Sequence, residues 1–182
     1  MEWKVLESKE VFSSGLFRLK VDRCELPDGR VMPRYYVIDF PDWVNVLPVT
    51  ESGGLILLKQ YRHASKRVHI EVPGGSLDPH RGETVEEGAK RELLEETGYG
   101  CKELIKVGEH YPNPALQSNR MHTFLALGCK EIKAQELDPF EELELYFCSI
   151  NDVKRHLAKG EIDHTIMMAS LYQALDYLEK RK

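Results

Sequence analysis

Seven residues near the middle of the chain restrict what it can fold into more than any other stretch: Arg91-Glu92-Leu93-Leu94-Glu95-Glu96-Thr97. An α-helix turns about 100° per residue, so Glu92, Glu95 and Glu96, at i, i+3 and i+4, project from one narrow face. Just upstream, Thr84-Val85-Glu86-Glu87 has the form of a capping box, with Thr84 as N-cap and Glu87 reaching back. Ala89, Leu93 and Leu94 fall at helical spacing, and Gly98 is placed to end the helix in a left-handed conformation. The spacing predicts a helix over 85–97. Like charges at i,i+4 cost a helix roughly a few tenths of a kcal/mol per pair, and clustering them on a face that also packs makes this worse. A divalent cation removes the problem. Oxygen ligands with no Cys or His beside them suit Mg²⁺ or Mn²⁺ rather than zinc, and Mg²⁺ commonly bridges carboxylates to phosphates. The plainer reading of the run alone is a solvated acidic face balanced by Lys90 and Arg91.

The surroundings are rich in strands. Phe17 to Asp22 alternates apolar and polar, Pro27-Asp28-Gly29-Arg30 signals a turn, and Tyr35 to Phe40 reads as the return strand. Residues 1–42 are therefore expected to form a small antiparallel β-section, with a boundary near Phe40-Pro41-Asp42 and the main domain over 43–182. In that domain Val44–Val49 and Leu55–Leu58 flank Gly53-Gly54 as a hairpin, and His69–Val72 is a strand ended by Pro73-Gly74-Gly75. Strands are expected near 103–111, 121–129 and 143–149, and helices over 151–159 and 164–180. Met167, Leu171, Ala174, Leu175 and Leu178 form the apolar face of the last helix. The class is α+β, layered as an α/β/α sandwich.

Composition excludes several functions. The formal net charge is −5, with no basic tract dense enough for long nucleic acid. No stretch approaches the roughly 20 apolar residues of a membrane span. Met1-Glu2-Trp3-Lys4 lacks the features of a signal peptide, so a cytoplasmic location is expected. Cys24, Cys101, Cys129 and Cys148 are far apart in sequence and read as free thiols.

The residues around the acidic run reverse its plainer reading. Glu83, seven residues, Arg91-Glu92-Leu93, Leu94, Glu95-Glu96, Thr97, Gly98 and Tyr99 resemble the Nudix box, G-x5-E-x7-R-E-U-x-E-E-x-G-U, in which U is apolar. One departure stands out. The box glycine falls at Leu77, Gly75 stands eight residues before Glu83, and the loop Ser76–Gly82 is two residues longer than usual. The resemblance implies a Nudix fold with a mixed sheet, and gives the box residues roles. Glu92 and Glu96 would be metal ligands with Glu95 assisting, and the carbonyl of Gly74 would be a backbone ligand. Arg91 would orient the carboxylates, while Glu83, Gly75 and Gly98 would support the box. The general base would lie on the loop Glu136–Glu142, with Glu141 favoured and Glu142 second.

Features outside the box bear on the substrate. Gln60-Tyr61-Arg62 resembles the Q-Y-R of ADP-ribose and nucleotide-sugar pyrophosphatases, where the Arg faces the substrate. Pro112-Asn113-Pro114 matches a proline cue of the ADP-ribose pyrophosphatase subgroup, and Pro114 would help wall the sugar pocket. The N-terminal β-section resembles the part that exchanges between subunits there, which implies a homodimer. Trp43 stands where an aromatic ring can stack on a base, worth roughly 1–3 kcal/mol. The expected reaction is Mg²⁺-dependent hydrolysis of ADP-ribose or a hexose nucleotide such as GDP-mannose to a nucleoside monophosphate and a sugar phosphate. The alternatives are a catalytically silent Nudix module that senses nucleotides, and a Nudix hydrolase of another nucleotide class. A sensor is expected to lose box carboxylates, and this chain keeps them.

Overall fold

The computed structural model describes residues 1–181. They divide into two units, one made of Met1–Asp42 with Tyr111–Arg120, the other of Trp43–His110 with the chain from Met121 onward.

In the first unit β1 (Lys4–Ser13), β2 (Arg18–Glu25) and β3 (Val31–Asp39) pair as an antiparallel meander in the order β1-β2-β3. The turn expected at Pro27–Arg30 joins β2 to β3, with Gly29 at φ 84°, a conformation that glycine adopts without strain. Residues 111–120 pack beside the end of β3. The Ile38 N–H donates to Leu116 O at 2.8 Å, the Ser118 N–H to Ile38 O at 3.2 Å, and Tyr35 Oη to Ala115 O at 2.8 Å. The segment carrying Pro114 thus groups with the small sheet, although it lies far beyond residue 42 in sequence.

The second unit holds β4 (Trp43–Thr50), β5 (Leu55–Arg62), β6 (Arg67–Glu71), β7 (Gly74–Ser76), α1 (Val85–Thr97), β8 (Tyr99–Gly100), β9 (Glu103–His110), β10 (Met121–Glu131), β11 (Leu143–Cys148), α2 (Ile150–Ala158) and α3 (Thr165–Lys180). The sheet runs β11-β5-β4-β10-β8, with β6 beside β5, β7 beside β4 and β9 beside β10. β4 and β10 are parallel and the other pairs antiparallel, so the sheet is mixed.

Alternation along β4 divides the core. Val44 and Val46 join Ala89 and Leu93 of α1 with Phe124 and Ala126 of β10. Leu47 and Val49 point the other way, toward Leu125 with Val153 of α2 and Met167 and Leu171 of α3. Helices therefore cover both faces, and the α/β/α sandwich follows from two alternating apolar strands at its centre. No helix among the described residues is long and apolar enough to cross a membrane.

Two short strands escape a reading based on apolar patterning. Gly74 and Gly75 do more than end a strand: β6 stops at Glu71, and Gly74–Ser76 pairs with Trp43–Asn45. Gly74 permits this close approach, because a Cβ there would lie 2.2 Å from Val44 O. Tyr99–Gly100 forms a two-residue pairing with Lys130 and Glu131.

Candidate active site

Helix α1 begins as its sequence dictates. Thr84 Oγ1 accepts the Glu87 N–H at 3.2 Å, and Glu87 Oε2 accepts the Thr84 N–H at 2.8 Å, completing the capping box. At the far end Gly98 takes φ 76°, and its N–H donates to Leu94 O at 2.9 Å. Lys133 O would lie 2.1 Å from a Cβ at Gly98, so close backbone packing also requires glycine there.

The acidic face is assembled around Arg91. Its Nε and Nη2 donate to Glu83 Oε2 and Oε1 at 3.0 and 2.8 Å. Its Nη1 donates to Glu92 Oε1 at 2.8 Å and Glu95 Oε2 at 3.0 Å, and Nη2 also reaches Ser76 O at 3.2 Å. The Arg91 hydrogen bonds hold the Glu83 carboxyl down at about 2, against the opposing effect of burial. Asp78 N–H adds a bond to Glu83 Oε1 at 2.9 Å, tying the long loop to the helix.

Glu92 and Glu96 face inward. Gly75 makes room for the first: a Cβ there would lie 2.5 Å from Glu92 Oε1. Gly74 holds the second by donating its N–H to Glu96 Oε2 at 2.7 Å. Glu96 is 5% exposed. Burial, then repulsion from Glu92, pushes its carboxyl well above the usual range; the Gly74 N–H opposes this and Glu141 adds to it. Burial likewise raises Glu92, with Glu95 and Glu141 contributing and Arg91 opposing.

This electrostatic frustration fits a hard divalent cation, which binds oxygen donors and neutralises what the protein leaves uncompensated. Among the described residues no three acidic, imidazole or thiolate side chains converge tightly as they stand. An ion drawing on Glu92 competes with Arg91 for Glu92 Oε1.

Glu141 is half-buried and acts electrostatically on Glu92, Glu96 and Arg62, so its carboxylate shares their neighbourhood. Glu142 is exposed. Trp43 is half-buried at the start of β4, between Met121 and Ser76 in register. Pro114 is exposed and belongs to the first unit.

Sequence reasoning missed Glu71, a buried acid in β6 that accepts Arg62 Nε and Nη2 at 3.0 and 2.6 Å. An acid flanked by Ile70 and Val72 was the available signal, since a buried carboxylate needs a partner. Burial raises its carboxyl, but His164 and Arg62 outweigh this and bring it to about 2, against 4.5 ordinarily. A depressed folded value means stability present above about pH 4.5 and lost as pH falls toward about 2. Urea titrations across that window are expected to show Glu71→Gln losing about 3 kcal/mol less than wild type on acidification. Parallel pH profiles for the two proteins would contradict this.

The NUDIX domain family matches residues 40–171, and the nucleoside diphosphate sugar hydrolase N-terminal domain family matches residues 3–38. The chain is 34% identical to an ADP-ribose pyrophosphatase of Bacillus subtilis (strain 168), covering 100% of this chain and 95% of that protein. It is 28% identical to a methanol dehydrogenase activator of Bacillus methanolicus, covering 100% and 97%. A crystal structure of an ADP compounds hydrolase superposes with a TM-score of 0.86 at 23% identity, covering 100% of this chain and 96% of that one, a likeness of fold.

Proposed function

Because the chain belongs to the Nudix hydrolase family and carries the N-terminal domain of the nucleoside diphosphate sugar hydrolases, we propose that it cleaves the diphosphate of ADP-ribose, with hexose nucleotides such as GDP-mannose second. The products are a nucleoside monophosphate and a sugar phosphate. The observation that carries this reading is the complete acidic cluster on α1, organised by Arg91, with Gly75 leaving room for Glu92 and the Gly74 N–H held on Glu96. A nucleotide sensor has no need of this full set.

Mg²⁺, with Mn²⁺ as substitute, is the expected ion, and Glu92, Glu96, Glu95 and the Gly74 carbonyl would hold it. Bound divalent ions supply charge neutralisation at the diphosphate and acidify water. The chain's own groups do the rest. Glu141 takes the proton of the attacking water at its carboxylate. Arg62 binds diphosphate oxygens, which a planar guanidinium can meet with two parallel N–H bonds. Arg91 limits how far Glu92 and Glu95 move. Trp43 stacks on the base. Exposed Val5, Val11, Phe12 and Leu16 on the first unit support pairing with a second copy.

Incubation with Mg²⁺ and a panel of ADP-ribose, GDP-mannose, UDP-glucose, coenzyme A and an oxidised dGTP, with phosphatase-coupled detection, tests this directly. ADP-ribose or a nucleotide sugar is expected to turn over fastest. Glu141→Gln is expected to lower kcat by about 10²-fold or more, as loss of a general base does, and Glu142→Gln by less than about threefold. A preference for the oxidised dGTP, or equal effects of the two variants, would overturn the corresponding assignment.

A further inference from the structure

Glu71 is 2% exposed, and a carboxylate at that depth is tolerated only when its oxygens are hydrogen-bonded. Arg62 occupies both oxygens in a fork. The third partner comes from far along the chain: His164 Nδ1 lies 3.3 Å from Glu71 Oε1. A carboxylate only accepts, so the imidazole donates. His164 is the N-cap residue of α3 but makes no side-chain cap bond. The stretch presenting it is pinned to β6, because Asp163 binds Arg67 Nη1 and His69 Nδ1, each at 2.8 Å.

The pair is unnecessary for joining the strands. The ladder between β5 and β6 already runs from Leu58↔Glu71 to Arg62↔Arg67. Apolar residues in place of a buried ion pair are often as stable or more so. The arrangement makes sense if the guanidinium is being aimed. Glu71 uses two of its five N–H donors. The side chain remains 43% exposed, and both Glu96 and Glu141 act on it electrostatically.

We propose that Glu71 and His164 are positioning residues, holding the Arg62 guanidinium beside the acid cluster so that its free N–H groups receive the diphosphate of a nucleoside diphosphate sugar. This rests on the function proposed above. Glu71 sets the plane of the fork, and His164 fixes Glu71 from the side of α3.

A double-mutant cycle on Michaelis parameters tests it, using whichever nucleoside diphosphate derivative the wild type cleaves. Glu71→Gln is expected to raise KM by about tenfold with kcat within about threefold, the signature of lost substrate binding. His164→Asn is expected to raise KM less. In an Arg62→Ala background neither change should raise KM further, because residues acting through one group are not additive. Unchanged KM in Glu71→Gln, or multiplying effects in the Arg62→Ala background, overturns the proposal. If Glu71→Gln fails to fold, the cycle of His164→Asn with Arg62→Ala decides alone. A wild type that neither cleaves the substrates nor binds α,β-methylene ADP-ribose by calorimetry overturns the proposed function itself, and this inference with it. An active wild type indifferent to Arg62→Ala overturns the positioning role and the diphosphate contact given to Arg62, while the proposed hydrolysis stands.

Discussion

Glu96→Gln is expected to lower kcat/KM by about 10³-fold or more, equivalent to about 4 kcal/mol of transition-state stabilisation, while leaving the metal-free protein at least as stable as wild type. The two halves of this expectation have one cause. Glu96 is buried, repelled by Glu92 and Glu141, and compensated by the single Gly74 N–H at 2.7 Å and the more distant charge of Arg62. A glutamine keeps an oxygen for that N–H and sheds a charge that is expensive to bury. The lost charge is also what a divalent cation needs. Urea denaturation with and without Mg²⁺ separates the effects. Wild type is expected to gain stability from Mg²⁺ through linkage, and the variant to gain far less. Activity within tenfold of wild type, or a metal-free variant several kcal/mol less stable, would remove Glu96 from the role given to it.

The helix that holds Glu96 was legible in full because its determinants are local. Thr84, Glu87 and Gly98 specify its ends within a few residues of themselves, and the structure places its bounds at Val85–Thr97. The central strands were legible from their apolar runs, and the box spacing led to the Nudix fold. What local reasoning could not reach depends on partners distant in sequence. Glu71 meets His164 across 93 positions, and Ile38 meets Leu116 across the whole of the β4-to-β9 segment. Such pairings leave no periodic trace. The two-residue extension of the box loop illustrates a third kind of information. Leu77 occupies the usual glycine position, and its Cδ2 lies 2.4 Å from where a Cβ of Gly88 would be. A bulky residue in the loop is accommodated by a missing side chain in the helix. Asp78 Oδ1 then accepts the His80 N–H at 2.8 Å and organises the turn. Neither Leu77 nor Gly88 is interpretable without the other, and only packing brings them together.

Arg91→Met is expected to destabilise the metal-free fold by about 3–5 kcal/mol, the range for removing one partner of a buried ionic network. The side chain makes five hydrogen bonds, to both oxygens of Glu83, to Glu92, to Glu95 and to Ser76 O, and a guanidinium has five N–H donors. Methionine retains the apolar stem and supplies none of them. Glu83 and Glu92, with side chains 9% and 13% exposed, are then left facing each other's charge with little water to screen it. Added Mg²⁺ should therefore stabilise the variant by more than it stabilises wild type, because the ion replaces a missing positive charge. Activity should not recover with stability. Glu92 and Glu95 lose the donor that sets their direction, and a drop in kcat of about 10- to 100-fold is expected even at saturating metal. Arg91→Lys should restore part of the stability but little of the activity, since an ammonium is a point charge and cannot span three carboxylates. A loss below about 1 kcal/mol for Arg91→Met would place the cluster among solvated surface pairs, which contribute that little. The inward-facing acids would then need another explanation for remaining together without a counter-charge.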